Sequence, residues 1–326
     1  MSLVQPTIAP ALPVWTRVRR IVIIGSSDIE RVRRRASFDV STRIEIVRVI
    51  SPQESPRVLS MEALRADRIW AIVVANEDKE LVRMEWLLAW RLTGTRVFDE
   101  DSFWEVAFGR VHVDAPDTQW LLSGLGSRHT RMQQVRTRVF DMILAVALAV
   151  LTFPLMLVVA GLIKIDSPGP IMYRQERVGL RGRAFILYKF RSMRQDAEGS
   201  GTPQWASECD PRITRVGRLI RYTRIDELPQ LANVIRGDMS IIGPRPERPY
   251  FVDKLSEAIP VYSLRHFVKP GITGWAQVNA SYGASVEDSR VKLMYDLYYI
   301  KHRGLLLDLS ILVRTLKVVL FQQGAR

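Results

Sequence analysis

Between Asp141 and Lys164 the chain carries no charged residue, which leaves 22 uncharged positions, Met142 to Ile163. As one helix at about 1.5 Å per residue, such a run reaches roughly 33 Å, enough for the hydrocarbon core of a bilayer. Length alone predicts a spanning helix, and two features argue against that. Pro154 stands mid-run, where proline removes an intrahelical hydrogen bond and its ring crowds the preceding turn. Both flanks are basic: Arg131, Arg136 and Arg138 come before the run, and Lys164, Arg174, Arg177, Arg181 and Arg183 after it. The positive-inside rule normally assigns one flank to the cytoplasm; here it assigns both. The geometry that satisfies both features is a re-entrant helix-break-helix, broken at Pro154, that enters one leaflet and returns. Backbone groups freed at the turn then need partners, and the Thr152 hydroxyl is at hand. A kinked spanning helix is the plain alternative, and the flanks favour re-entry.

With 326 residues there is room for two domains. A formal net charge of +13 favours anionic partners. The apolar run points to an anionic membrane lipid or phosphate-bearing substrates rather than nucleic acid, and neither zinc-finger spacing nor an RNP-like aromatic motif is present. Cys209 is the lone cysteine, so no intrachain disulfide forms. His112, His129, His266 and His302 lack metal-ligand spacing. No signal peptide is expected at the N-terminus.

From Arg20 onward, strand patterns at Ile21–Gly25, Arg43–Val49, Trp70–Val74 and Thr95–Phe98 alternate with helical ones at Ser26–Arg35, Met61–Ala66 and Lys79–Leu92. That alternation predicts a parallel sheet of Rossmann-like type. The glycine chemistry of a dinucleotide site is missing, because Gly25 stands alone after the first strand where three spaced glycines are needed. Residues 1–125 are therefore expected to be a structural or regulatory module that does not bind NAD(P) tightly. The Gly/Ser-rich stretch Ser123–Thr130 marks the boundary, residues 126–138 form a basic amphipathic linker, and 139–326 form a membrane-embedded, α-rich α+β catalytic domain. In that domain, Asp166–Pro170 should stop the apolar helix, Arg174–Arg183 should form a hairpin, and Gln195–Asp210 a loop. Leu305–Phe321 should be a helix lying in the membrane interface or packed on the domain.

The most informative block runs from Asp210 to Glu247. Pro229 suits a helix's first turn and Gly237 the residue just past its end, so a helix is predicted from near Asp226 to near Arg236. The adjacent carboxylates Asp226 and Glu227 then sit at its N-terminus. Arg212, Arg215, Arg218, Arg221 and Arg224 surround them in sequence, with Arg245 beyond the helix between Pro244 and Pro246. A carboxylate pair with arginines and a divalent cation is the set that phosphoryl transfer through an enzyme-bound intermediate requires. A lone Asp-Glu pair is otherwise an N-capping acid in a salt-bridged helix.

Eight motifs in order carry a resemblance: Lys164–Pro170, Arg174–Gly179, Tyr188–Met193, Asp210–Thr214, Asp226–Gln230, Gly237–Ser240, Gly243–Pro246 and Lys269–Gln277. From about Arg136 to its C-terminus the chain resembles the bacterial sugar transferases that are monotopic polyprenyl-phosphate phosphoglycosyl transferases. The resemblance implies transfer of a sugar 1-phosphate from a UDP-sugar to polyprenyl (undecaprenyl) phosphate with release of UMP. That reaction would start exopolysaccharide, capsule or O-antigen assembly at the cytoplasmic face of the bacterial inner membrane. It also implies Mg²⁺, held at Asp226, and a ping-pong path with Asp226 as nucleophile and Glu227 as its dyad partner. Lys189, Arg191, Arg212 and Arg245 carry over as phosphate or substrate contacts, and Asp308 as a further acidic site residue. The family's membrane break is commonly Ser-Pro, whereas here it is Phe153-Pro154. The N-terminal module is similar to one that precedes the catalytic domain in larger members, where several transmembrane helices usually come first; a role in homodimer formation or regulation follows. The rival readings are a membrane-anchored, nucleotide-sensing regulatory protein without catalysis, and a nucleotide-sugar dehydratase or epimerase. The second is disfavoured by the missing glycine fingerprint and the absence of a Tyr-x-x-x-Lys pair in the N-terminal half.

Overall fold

The computed structural model describes residues 18–25, 44–55, 59–111, 113, 131–194, 212–280, 283 and 285–321. The chain divides between His112 and Val113 into two compact units.

The first unit is built on β1 (Arg19–Ile24), β2 (Ile44–Ile50), β3 (Ala71–Val74) and β4 (Arg96–Asp99), all parallel, in the order β2-β1-β3-β4. The apolar runs of the central strands β1 and β3 are continuous because both sheet faces are covered there. Val22, Ile24, Ile72 and Val74 pack with Leu64 of α1 (Met61–Ala66) and Trp90 of α2 (Met84–Leu92). Ile21, Ile23, Ala71 and Val73 face the other way, onto Phe103, Trp104 and Phe108 of α3 (Glu100–Phe108). The two-residue period of a strand thus supplies both cores. The helix expected over Lys79–Leu92 is split into a 3₁₀ turn, Asn76–Leu81, and α2, because Val82 between them is extended and buried in the core. The helix expected at Ser26–Arg35, the boundary at Ser123–Thr130 and the loop Gln195–Asp210 fall outside the described residues.

The second unit opens with α4 (Arg131–Asp166), one 36-residue helix that is long and apolar enough to cross a membrane. It differs from the expected helix-break-helix, since helical structure continues through Pro154. A proline removes a single hydrogen bond, and in an otherwise strong apolar helix that loss does not end the helix. Nor does Thr152 serve the carbonyl freed by Pro154: its Oγ1 donates to Leu148 O at 2.7 Å, back-bonding that already has an amide partner. Both ends of α4 are tied to the same unit. Arg138 donates to Val234 O and Ile235 O at 2.6 and 2.7 Å, Asp141 accepts from Ser240 Oγ and Ile241 N, each at 2.9 Å, and Ala145 is buried. Toward the other end, Val159 and Ile163 pack on Phe190 and Ile220, and Asp166 accepts from Val216 N at 3.1 Å. Between these anchorages, residues 146–158 include none that is buried.

The breaker cluster after Asp166 leads into the hairpin β5 (Met172–Val178) and β6 (Ala184–Phe190), as its glycines predict. The turn needs the left-handed φ of +74° at Gly182. Next come α5 (Arg215–Tyr222), a 3₁₀ turn (Ile225–Gln230), α6 (Leu231–Arg236), ended by Gly237 at φ +97°, and β7 (Ser240–Ile242). The single helix expected from Asp226 to Arg236 is therefore a 3₁₀ turn joined to a short α-helix. Then follow α7 (Pro249–Ala258), a 3₁₀ turn (Tyr262–Phe267), β8 (Gly271–Thr273) parallel to β7, and α8 (Trp275–Asn279). A Cβ at Gly243 would stand 2.3 Å from Lys269 O, so only glycine permits this approach of the β7 and β8 ends. Last are α9 (Val286–His302), started by a Ser285–Asp288 capping box, and α10 (Leu305–Phe321), which exposes Leu305, Leu306, Leu309 and Leu316.

Candidate active site

Three elements bring polar side chains to the 3₁₀ turn that carries Asp226 and Glu227. Arg224 precedes that turn in a left-handed conformation, φ +60°, which reverses the chain after α5 and puts both carboxylates on the buried side, 7% and 8% exposed. From β6 comes Lys189, whose Nζ lies 3.3 Å from Glu227 Oε1. From the Gly-Pro-Arg-Pro loop after β7 comes Arg245, which donates to Glu227 Oε1 at 2.8 Å and Oε2 at 3.4 Å. Arg224 itself stands 3.8 Å from Oε1.

The two acids have different surroundings. Burial by itself would raise the Glu227 pKa, but Arg245 and Lys189 more than offset it and hold this carboxyl well below the usual range. Asp226 makes no hydrogen bond or ion pair with any described residue. Burial raises its pKa, Lys189 opposes the rise and the Glu227 charge adds to it, leaving it above an ordinary aspartate. Burial lowers the pKa of Lys189, against the pull of Glu227. Arg245 is held protonated by Glu227. The arrangement is one carboxylate saturated with cations beside a second, bare carboxylate.

The other predicted site residues lie elsewhere. Arg191 is buried and donates to Ser167 O at 2.7 Å, Ser167 Oγ at 2.9 Å and Pro168 O at 3.0 Å, which staples the chain leaving α4. Arg212 stands beside the Met193–Ile213 bridge, its carbonyl accepting from Arg194 N at 2.9 Å. Asp308, at the start of α10, accepts from Tyr299 Oη at 3.1 Å and does not touch the dyad. Of the five predicted binding residues, the structure gathers Lys189 and Arg245 at Glu227.

Several supports had no signal in the sequence. Asn233, fully buried on α6, accepts from Tyr188 N at 3.1 Å and donates to Ile186 O at 2.7 Å, which fixes β6 and hence Lys189. Arg177 of β5 donates to Pro246 O at 3.0 Å, and Arg265 donates to Arg245 O at 2.9 Å. Their partners are tens of residues away in sequence, and nothing but the folded chain pairs them.

No group of three or more metal-ligating side chains occurs among the described residues. Mg²⁺ commonly takes one or two carboxylates, with substrate phosphates and water completing its octahedron. The bare Asp226 carboxylate fits that donor set, whereas Glu227 is spent on cations.

The model of the family described as bacterial sugar transferase matches residues 132–322, more than half of the chain, and the chain belongs to that family. It is 44% identical over 273 residues to the UDP-N-acetylgalactosamine-undecaprenyl-phosphate N-acetylgalactosaminephosphotransferase of Aeromonas hydrophila, covering 83% of this chain and 63% of that one. It is 47% identical to the UDP-glucose:undecaprenyl-phosphate glucose-1-phosphate transferase of Xanthomonas campestris pv. campestris, over 57% of this chain and 39% of the relative. A protein of the same description from Caulobacter vibrioides is 42% identical over 64% of this chain and 79% of its own length. The chain thus spans less than two thirds of the first two relatives.

Proposed function

We propose that this protein transfers a sugar 1-phosphate from a UDP-sugar to polyprenyl phosphate, releasing UMP, through a phosphosugar carried on Asp226. The observation that carries the reading is the bare, buried Asp226 carboxylate next to a Glu227 that gathers Arg245, Lys189 and Arg224.

In the first step an Asp226 carboxylate oxygen attacks the β-phosphorus. The new O–P bond forms as the bond to the bridging oxygen breaks, and UMP leaves with that electron pair. In the second step a phosphate oxygen of the polyprenyl phosphate attacks the same phosphorus, restoring the carboxylate and yielding the polyprenyl diphosphate sugar. Arg245 and Lys189, held at Glu227, would neutralise charge on the transferring group. With its depressed pKa Glu227 is a poor base, so its part is to organise cations. Asp226 would hold magnesium, which when bound would supply Lewis-acid neutralisation of the leaving phosphate. The relatives' names divide between glucose and N-acetylgalactosamine, so the sugar is left as a hexose 1-phosphate.

The reading places the protein at the cytoplasmic face of the bacterial inner membrane, with α4 unbroken through Pro154 but kinked there so that it re-enters one leaflet. The two anchorages of α4 on a single unit, with an exposed apolar middle between them, favour this over a crossing helix. Residues 1–125 are read as a Rossmann-like regulatory or dimerisation module and 139–326 as the transferase.

The test is intact-protein mass spectrometry after incubation with UDP-sugar and Mg²⁺ alone. A phosphosugar adduct and a stoichiometric burst of UMP are expected, both lost in Asp226→Asn, since an amide is a far weaker nucleophile. Full turnover by Asp226→Asn, or turnover through a ternary complex alone, would sink the covalent path. If no UDP-sugar yields UMP, the nucleotide-sensing alternative takes its place.

A further inference from the structure

We propose that Arg265 is a positioning residue for the transfer: with Asp296 and Tyr262 it clamps the peptide carbonyl of Arg245 and so aims that guanidinium at Glu227. The inference rests on the function proposed above and adds a residue that does not touch the dyad.

The loop Gly243-Pro244-Arg245-Pro246 needs such a clamp. Neither proline has an N–H, so the backbone around Arg245 is held largely through its carbonyls. Pro244 O accepts from Gly271 N at 2.9 Å, and Pro246 O from Arg177 at 3.0 Å. Arg245 O, on the residue that carries the working side chain, is held by Arg265 Nη2 at 2.9 Å. Arg265 cannot shift without breaking other contacts. The same Nη2 meets Asp296 Oδ2 at 2.8 Å, Nη1 donates to Tyr262 Oη at 2.5 Å, and the guanidinium lies over the Tyr262 ring. Arg265 and Asp296 are 5% and 2% exposed. A buried ion pair of this kind adds little net stability over well-packed apolar side chains, because desolvation opposes the attraction. Its physical yield is fixed geometry. The rigid fork of a guanidinium serves carbonyl, carboxylate and hydroxyl together, which a lysine ammonium on a flexible stem cannot. Tyr262 and Arg265 leave the 3₁₀ turn Tyr262–Phe267 and Asp296 comes from α9, so the clamp joins both elements to the loop after β7.

The full-length protein, in detergent or vesicles, tests this with Arg265→Lys. A displacement of about 1 Å at a charge-stabilising group costs up to ~100-fold in rate, so kcat for UMP release should fall about 10- to 100-fold with KM for the UDP-sugar unchanged. In a double-mutant cycle, Arg245→Ala combined with Arg265→Lys should lose no more than Arg245→Ala alone, because Arg265 acts through Arg245. Amide exchange of a peptide covering Gly243–Glu247 should quicken in Arg265→Lys. Fully additive losses, or unchanged exchange with wild-type kcat, overturn the proposal. If Arg265→Lys does not fold, Tyr262→Phe, which removes one of the clamp's bonds, replaces it in the same cycle with the same expected non-additivity. Should the wild type release no UMP, the proposed function fails, while the exchange measurement still decides whether the clamp holds the loop.

Discussion

Arg245 Nη2 lies 2.8 Å from Glu227 Oε1, and that one carboxylate oxygen also faces Lys189 at 3.3 Å and Arg224 at 3.8 Å. The neighbour on the chain, Asp226, has none of these partners. The division of labour within an Asp-Glu pair is thus set by which acid the cations reach, and it predicts different outcomes for their substitution.

Glu227→Gln keeps the size of the side chain but removes the charge that gathers Arg245 and Lys189. Turnover should fall by about 10²–10³, the range for a lost preorganised charge contact, and Arg245→Ala should fall by a similar factor with the fold intact. Steady-state and burst kinetics of UMP release check this. A Glu227→Gln enzyme at wild-type rate would show that the cations need no anchor.

Activity should decline toward acid pH earlier than for an ordinary aspartate. In the proposed path Asp226 must be ionised to attack, and burial raises its pKa, so rate is lost as pH falls through a value above the usual 3.8. The Lys189 charge is the strongest influence opposing that rise. Lys189→Met should therefore move the residual activity's acid limb to still higher pH. A kcat/KM profile of UMP release, with stability verified at each pH, decides; a limb at or below 3.8 contradicts the burial argument.

Asn233→Ala should destabilise the catalytic unit. It strands the part-buried Tyr188 N–H and Ile186 carbonyl, which Asn233 pairs at 3.1 and 2.7 Å. Loss of both costs about 1–2 kcal/mol, or a Tm lower by roughly 2–8 °C for a domain of this size. Activity should fall too, through the loosened β6 that carries Lys189. An unchanged Tm would mean that water replaces the amide without cost.

Single cysteines at Arg131 and Arg181, introduced after replacing Cys209, should react alike with an impermeant thiol reagent in inside-out vesicles. Both ends of α4 are tied to one unit, so the re-entrant reading expects both flanks on one side of the membrane. Opposite accessibility would make α4 a crossing helix. Pro154→Leu restores the missing backbone donor and should favour crossing.

Much of this protein is legible in its sequence because the signals are local. Apolar runs of strand length, the uncharged stretch before Lys164 and the breaker cluster after Asp166 each place an element within a few residues of where it forms. Asp226 and Glu227 among their arginines, and Arg245 between two prolines, stand out locally as candidates, whereas Lys189 is named by the family resemblance alone. What sequence leaves undecided is long-range. Whether Pro154 ends the helix depends on the strength of the surrounding helical bonding, and the chain runs on through it. Arg191 and Arg245 look equally eligible as phosphate ligands. The fold gives Arg191 to the carbonyls after α4 and Arg245 to Glu227, because a guanidinium goes to the acceptors that folding places within its reach. The clamp of Arg265 reaches Arg245 20 positions back and Asp296 31 positions ahead in sequence, with Tyr262 beside it. No local preference encodes such a pairing; it exists because β7, α9 and the turn between them pack together and leave a buried carbonyl and a buried carboxylate that a single guanidinium satisfies.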